Sequence, residues 1–352
     1  MGNMMEYPLR VRSGLDLKNH RGFTEELLDH GRRTAPVSLK EYLSLPSLQR
    51  IAFDDMRRRI ITRGVMVKND SYLNVQGVLA RVMREHQYAS GGGHGVLVTG
   101  DSYTGKTTVA RILMLDLLTQ RLNQDSRCVE RGEVPVAYVN LPSTGTPLGL
   151  YRMIAQFYGL PIGHRETEAR LEGMVQHAIN DCRTELLVID DVHNLKYGGA
   201  HSRKVSAAIR RLGDDIDCPI LLIGIGLQNT NLLSGPEGAQ IAERYRVAEM
   251  VSYEKRSSKG WKMLVSSLVS SMPLFGENQL GLKALGADLH TLTNGRIGAL
   301  NSLVSRAALD LIDLRKPEDE VLTFGIAKDK AAEIAEETLF RSAMRRGAHI
   351  GH

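Results

Sequence analysis

The chain has 352 residues, 42% of them hydrophobic and 24% charged. That balance belongs to a globular protein of two or three structural units, not to a disordered or fibrous one. Aromatic residues make up 5%, with Trp261 the single tryptophan, too few to favour a platform for stacking single-stranded bases.

Residues 1–88 read as a mostly helical, basic region. Helical spacing predicts segments at Thr24–His30, Ser38–Leu45, from Ser47 through Arg57-Arg58-Arg59, and over Leu73–Glu85. The formal net charge is +5, and residues 1–90 hold fifteen Lys/Arg against ten Asp/Glu, which is the whole surplus. A polyanionic partner and a solvated helical surface both fit that excess. Ser90-Gly91-Gly92-Gly93 then breaks the pattern and reads as an entry loop.

Over residues 89–254 apolar runs of strand length alternate with helical patterns, the mark of an α/β unit with a parallel sheet. Five strands are predicted: Gly95–Thr99, Val134–Val139, Leu186–Ile189, Pro219–Ile225 and a weaker Val247–Val251. Helices are predicted from Lys106 to about Arg121, over Tyr151–Tyr158 and over Glu168–Cys182. Continuous apolar strands of this kind suit a sheet covered on both faces. Residues 255–316 lack strands and read as a small helical unit, with helices at Gly260–Ser271, Gly281–Leu292 and Arg296–Leu314. Residues 317–352 add a helix around Ala331–Ser342 and a tail with Arg345-Arg346.

The chemistry begins at Gly100-Asp101-Ser102-Tyr103-Thr104-Gly105-Lys106-Thr107, followed by Thr108, which matches G-x-x-x-x-G-K-[ST] in full between a strand and a helix. Glycines let such a loop point its backbone N–H groups inward, and the helix N-terminus completes an anion hole. Lys106 is placed to reach the β- and γ-phosphates of ATP, and Thr107 to hold Mg²⁺ through its hydroxyl. Leu186-Leu187-Val188-Ile189-Asp190-Asp191 supplies the acids expected at the end of a neighbouring strand. Asp190 is the candidate Mg²⁺ ligand through water, and Asp191 stands where a base would polarise the attacking water.

Further polar groups follow. A polar residue in Gly226-Leu227-Gln228-Asn229 is a candidate to orient water beside the γ-phosphate. In Glu243-Arg244-Tyr245-Arg246, Arg244 first and Arg246 second are candidates to cross a subunit interface; surface salt bridging is the alternative. In Asn294-Gly295-Arg296, Arg296 opens a long helix from which it could fold over the nucleotide.

Three well-separated cysteines give no disulfide framework and point to a reducing cytoplasm. The eleven histidines show no zinc spacing, no apolar run approaches a membrane span, and the opening residues do not read as a secretory leader.

Taken together, the P-loop, the acid-ended strand, Glu-Arg-Tyr-Arg and a helical lid with Gly295-Arg296 resemble an AAA+ ATPase. More narrowly, Gly-Asp-Ser-Tyr-Thr-Gly-Lys-Thr-Thr, Ile-Asp-Asp-Val-His-Asn-Leu and Asn-Leu-Pro-Ser-Thr-Gly-Thr-Pro-Leu-Gly-Leu-Tyr resemble the TniB/TnsC class of transposition regulators, over about residues 40–310. The resemblance implies ATP and Mg²⁺ as cofactors and an ATP-dependent ring or helical filament on duplex DNA. It implies a transposase and a target-selection protein as partners. It also implies DNA contacts from loops facing the pore, for which Ser143, Thr144, Thr146 and Arg152 are the candidates; an ordinary strand–helix connection is the alternative. The Arg57-Arg58-Arg59 run is a second DNA candidate, or a solvated helix face. Two departures, Asp191 in place of the more usual glutamate and Ile225 in place of a polar strand end, predict slow hydrolysis. Two other readings share the core: a helicase loader or replication initiator, distinguished by single-strand preference, and a nucleotide-switched protein scaffold without DNA.

Overall fold

The computed structural model describes residues 18–31, 37–88, 93–141, 145–163, 165–192, 199–233, 235–276 and 278–347. Four helices come first: α1 (His20–Gly31), α2 (Leu39–Ser44), α3 (Ser47–Arg63) and α4 (Asp70–Tyr88). Helix α2 is started by a reciprocal cap: the Ser38 hydroxyl accepts from the Glu41 N–H while the Glu41 carboxylate accepts from the Ser38 N–H.

The expected alternation follows, in the order β1 (Gly95–Gly100), α5 (Lys106–Gln124), β2 (Val136–Asn140), α6 (Pro147–Phe157), α7 (Glu168–Asp181), β3 (Leu186–Asp190), α8 (Gly199–Asp215), β4 (Ile220–Ile223), α9 (Gly235–Arg244) and β5 (Tyr245–Met250). The five strands form one all-parallel sheet in the order β2-β3-β4-β1-β5. Strand β1, which delivers the phosphate loop, is thus flanked by β4 and β5, while acid-ended β3 lies one strand further away. Strands β3 and β4 are buried along their whole length, as a sheet covered on both faces requires. Helices α8 and α9 are additions to the sequence reading. In α8, Val205, Ala208, Ile209 and Leu212 are buried at helical spacing. Strand β5 starts at Tyr245, two residues earlier than expected, so Arg246 lies within the strand.

The chain closes with α10 (Lys259–Ser270), α11 (Asn278–Thr293), α12 (Ile297–Asp313) and α13 (Phe324–Gly347). Two cores result. The larger fills the sheet and its helices and takes in Phe23 and Leu27 of α1 and Tyr72, Val75, Leu79 and Val82 of α4. The smaller joins α10–α13 around fully buried Trp261 and takes in Ile61 of α3. The helices before β1 therefore divide: α1 and α4 pack on the α/β unit, α3 on the helical one. Residues 64–69 connect the two.

The arginine run in α3 is neither of the things its sequence offers. Consecutive helical residues point about 100° apart, so three in a row cannot share one surface. Arg57 turns inward and is 1% exposed. It is paired with Asp54 at 3.0 Å and with Glu320, donates to the Pro273 carbonyl at 2.6 Å, and lies 4.4 Å over the Phe275 ring. Glu320 is also buried, which pushes its carboxyl above the usual carboxylate range while Arg57 opposes the shift. Arg58 bridges Asp55 and Asp313, and only Arg59 of the three is exposed.

Removing one partner of a buried ion pair strands the other charge, at a cost of about 3–5 kcal/mol. Arg57→Ala should therefore destabilise the helical unit by about that amount, read by urea unfolding followed through Trp261 fluorescence. The paired replacement Arg57→Met with Glu320→Leu should cost much less. Equal losses in both would show that the pair's charge balance is not what matters there.

Candidate functional site

Strand β1 is apolar and buried up to Thr99. Its last residue must be glycine: at Gly100 φ is +150°, and a Cβ would lie 2.1 Å from the Met250 carbonyl oxygen of β5. The loop then turns through Tyr103 (φ +65°) and Gly105 (φ +87°), and α5 starts at Lys106. Gly105 has no side chain with which to cap α5. The first N–H groups of that 19-residue helix therefore carry no side-chain cap and face an anion's position with the positive end of the helix dipole.

Lys106 is 9% exposed and curls back into the loop, donating to the Gly100 carbonyl at 3.0 Å, the Asp101 carbonyl at 2.5 Å and Thr104 Oγ1 at 3.3 Å. Burial lowers its pKa, and Asp190 leads the neighbouring acids that oppose the shift. The Thr107 hydroxyl donates to Asp190 Oδ2 at 2.7 Å. Asp190, 2% exposed, also accepts from the Tyr138 hydroxyl on Oδ2 at 3.0 Å and from the Asp191 N–H on Oδ1 at 2.7 Å. Burial raises its pKa and these donors pull it back. Asp191 sits in the left-handed region at φ +58°, and its Oδ2 accepts from Asn140 Nδ2 at 2.8 Å. The β2–β3 register sets Asn140 opposite Asp190.

Around this centre lie the remaining candidates. Strand β4 ends at Ile223, so Ile225 lies in the bend that follows. Gln228 accepts from the Thr99 hydroxyl at 3.1 Å, which ties that connection to the residue before Gly100. The start of α12 touches the loop directly: the Gly298 N–H donates to the Tyr103 carbonyl at 2.7 Å, and a Cβ on Gly298 would lie 2.9 Å from that oxygen. Arg296, just ahead, is exposed; its N–H donates to the Thr293 carbonyl at 3.1 Å and its carbonyl accepts from the Leu300 N–H at 3.0 Å. Between loop and lid a hollow is lined by Met66, Val67, Thr108, Leu268, Ile297 and Asn301. Asn301 Oδ1 is buried there without a partner among the described residues.

Arg244 and Arg246 lie elsewhere. The register pairs Tyr245 with Gly95 and Met250 with Gly100, so Arg244, one residue before the strand, stands six residues, roughly 20 Å, from its own phosphate loop. It is paired with Asp214 at 2.5 Å, and Arg246 with Glu85 at 2.5 Å. Of the DNA candidates, Ser143 and Thr144 lie outside the described residues. Thr146 caps α6, its Oγ1 accepting from the Gly149 N–H at 3.0 Å. Arg152 is half-buried in α6, its Nε without a partner among the described residues. Among the described residues no cluster of His, Cys, Asp and Glu could hold a metal by itself, and no helix is long and apolar enough to cross a membrane.

A family model, the bacterial TniB protein, matches residues 66–255, more than half of the chain. The chain belongs to the bacterial TniB family. No curated protein sequence matches. The fold is that of P-loop AAA+ ATPases. The Aeropyrum pernix ORC1 protein in complex with DNA aligns with a TM-score of 0.56 at 18% identity, covering 78% of this chain and 67% of that one. The Aeropyrum pernix ORC2 protein, in ADPNP and ADP complexes, aligns with a TM-score of 0.55 at 11% identity over 77% and 68%. A Walker-type ATPase of Pyrococcus abyssi aligns with a TM-score of 0.50 at 12% identity over 81% and 76%.

The residues of this TniB-family site fit a nucleoside triphosphate with Mg²⁺. The donor set is an uncapped helix start, an inward lysine, and a hydroxyl bonded to a buried carboxylate, with an orphaned acceptor in the adjoining hollow. Lys106→Ala removes the cation and should abolish binding of a fluorescent ATP analogue, measured by anisotropy; unchanged affinity would contradict the assignment.

Proposed function

We propose that this TniB-family chain binds ATP and Mg²⁺ at the Gly100–Thr107 loop, hydrolyses ATP slowly, and assembles on duplex DNA to present a target site to a transposase. The observation that carries the reading is the convergence of Lys106, Thr107, Asp190 and Asp191 at the ends of β1 and β3 in a member of this family. Lys106 and the first N–H groups of α5 hold the phosphates. Thr107 and Asp190 hold Mg²⁺, directly and through water. When bound, the ion neutralises charge on the phosphoryl oxygens. The base occupies the hollow under α12, where Asn301 Oδ1 offers an acceptor to an exocyclic amine.

Asp191 serves as the base for the attacking water. Its carboxylate is one methylene shorter than glutamate and is engaged by Asn140, so it must exchange that partner before it can act, which supports slow turnover. Arg296 closes over the nucleotide from the lid. In this reading residues 89–254 are the nucleotide-binding unit and 255–316 the lid, with 1–88 and 317–352 flanking them. DNA is gripped through its phosphates by the connection bearing Ser143, Thr144 and Thr146, with Arg152 behind it; such contacts position without reading sequence. A target-selection protein is a further partner, and the cytoplasm is the compartment.

Arg244 completes the site of a neighbouring protomer. Its place at the far end of the sheet from its own loop supports a role in trans, and the Asp214 pairing is its resting position in a lone protomer. A trans-acting arginine can contribute about 10³-fold or more to the rate. The test mixes two variants. Lys106→Ala keeps its arginine but cannot bind ATP; Arg244→Ala binds ATP but lacks the arginine. Each alone should be nearly inactive on duplex DNA, and the mixture should recover part of the activity. A mixture as inactive as its components, with both still assembling on DNA, would overturn the role in trans.

A further inference from the structure

The Mg²⁺-binding end of β3 has a neighbour that the P-loop chemistry does not require. Tyr138 lies on β2, two residues before Asn140 and on the same face of the strand. Its hydroxyl donates to Asp190 Oδ2 at 3.0 Å, the oxygen that also accepts from Thr107 at 2.7 Å. A carboxylate oxygen has two in-plane lone pairs, so these two donors fill Oδ2. On Oδ1 one position is taken by the Asp191 N–H at 2.7 Å. Among the described residues, one in-plane position remains unfilled, on Oδ1. The buried carboxylate is thereby fixed in rotation, with a single acceptor left for a water on the metal.

The ring of Tyr138 is itself held. Phe23 of α1 stacks on it with centroids 5.4 Å apart and planes 2° from parallel, and Phe157 of α6 meets Phe23 edge-on at 5.7 Å. Phe23 is 1% exposed. Helix α1 is tied to the helix that follows the phosphate loop by the Glu26–Arg111 pair at 3.0 Å. The stack therefore runs from an N-terminal helix, through one tyrosine hydroxyl, to the carboxylate.

We propose that Tyr138 is a positioning residue for the Mg²⁺ site: its hydroxyl, held by the Phe23 stack, orients Asp190 so that one lone pair faces the metal-bound water. The proposal rests on the nucleotide site described above and adds a residue and an N-terminal helix to it. Groups that orient a metal ligand from outside the coordination shell commonly contribute about tenfold or more to metal affinity.

The test uses the full chain and the variant Tyr138→Phe, which keeps the ring and its stack and deletes only the hydroxyl. Binding of a fluorescent ATP analogue is titrated with Mg²⁺ and measured separately in EDTA. The Mg²⁺ midpoint should rise about tenfold or more, while affinity in EDTA stays at the parental value. The control is Tyr158→Phe, which removes another buried hydroxyl, bonded to Thr184 at 2.6 Å. It lies at the opposite end of β3 and should leave the midpoint unmoved. An unchanged midpoint in Tyr138→Phe, or an equal shift in both variants, overturns the proposal. Failure of the parental chain to bind the analogue would instead overturn the nucleotide site itself, so the two failures are distinguishable.

Discussion

A carboxylate at the end of an apolar strand is costly to bury unless every lone pair is occupied or reserved, and that constraint organises this protein. Asp190 follows four fully buried residues of β3 and is itself 2% exposed. It is tolerated because three donors converge on it from three different segments: Thr107 from the start of α5, Tyr138 from β2 and the Asp191 N–H from its own chain. Each donor depends on a separate feature of the fold. Thr107 needs the tight approach of Gly100 to β5, Tyr138 needs the β2–β3 register, and the Asp191 N–H needs a backbone at φ +58°. Strained backbone of this kind persists where the surroundings over-determine it, and it concentrates at functional sites.

The second organising feature is the way two cores share one strap. Helix α3 packs its Ile61 into the helical unit and α4 packs Val75 and Val82 into the α/β unit. The strap between them, residues 64–69, borders the hollow beside the phosphate loop. On the other side the Gly298–Tyr103 hydrogen bond joins the lid to that loop. Any ligand that fills the hollow touches both units at once, and it would favour whichever arrangement of them it binds better. The buried Arg57–Glu320 pair makes α3 part of the helical unit, while α1 and α4 stay with the α/β core.

The parts legible in sequence are those whose signal is local. The phosphate loop is eight contiguous residues, and Asp190-Asp191 closes an apolar run; both lie where the sequence puts them, and the five parallel strands and the helical unit follow from alternation and period. What escapes the sequence depends on pairing across the fold. Tyr138 and Asn140 are ordinary residues of a half-polar strand until β2 and β3 are set in register. Asn301 is one polar position in a mostly apolar helix until its oxygen is seen to lack a partner. Helix α9 buries only Gly238 and Ile241 in ten residues, too few to show a period. Helix α8 does carry the period, in Val205, Ala208, Ile209 and Leu212. Arg57 was hidden by its two neighbours, which made a buried cation look like one third of a surface patch.

In the proposed function, nucleotide at this site drives assembly on double-stranded DNA. Electron microscopy of the purified chain with Mg²⁺, a non-hydrolysable ATP analogue and a duplex long enough for several protomers tests it most directly. Regular rings or filaments threaded on duplex should form only when all three are present, and Lys106→Ala should form none. Isolated protomers under the full mixture, or ordered assemblies on single strands and not on duplex, would contradict the account, the latter in favour of a helicase-loading or replication-initiating role.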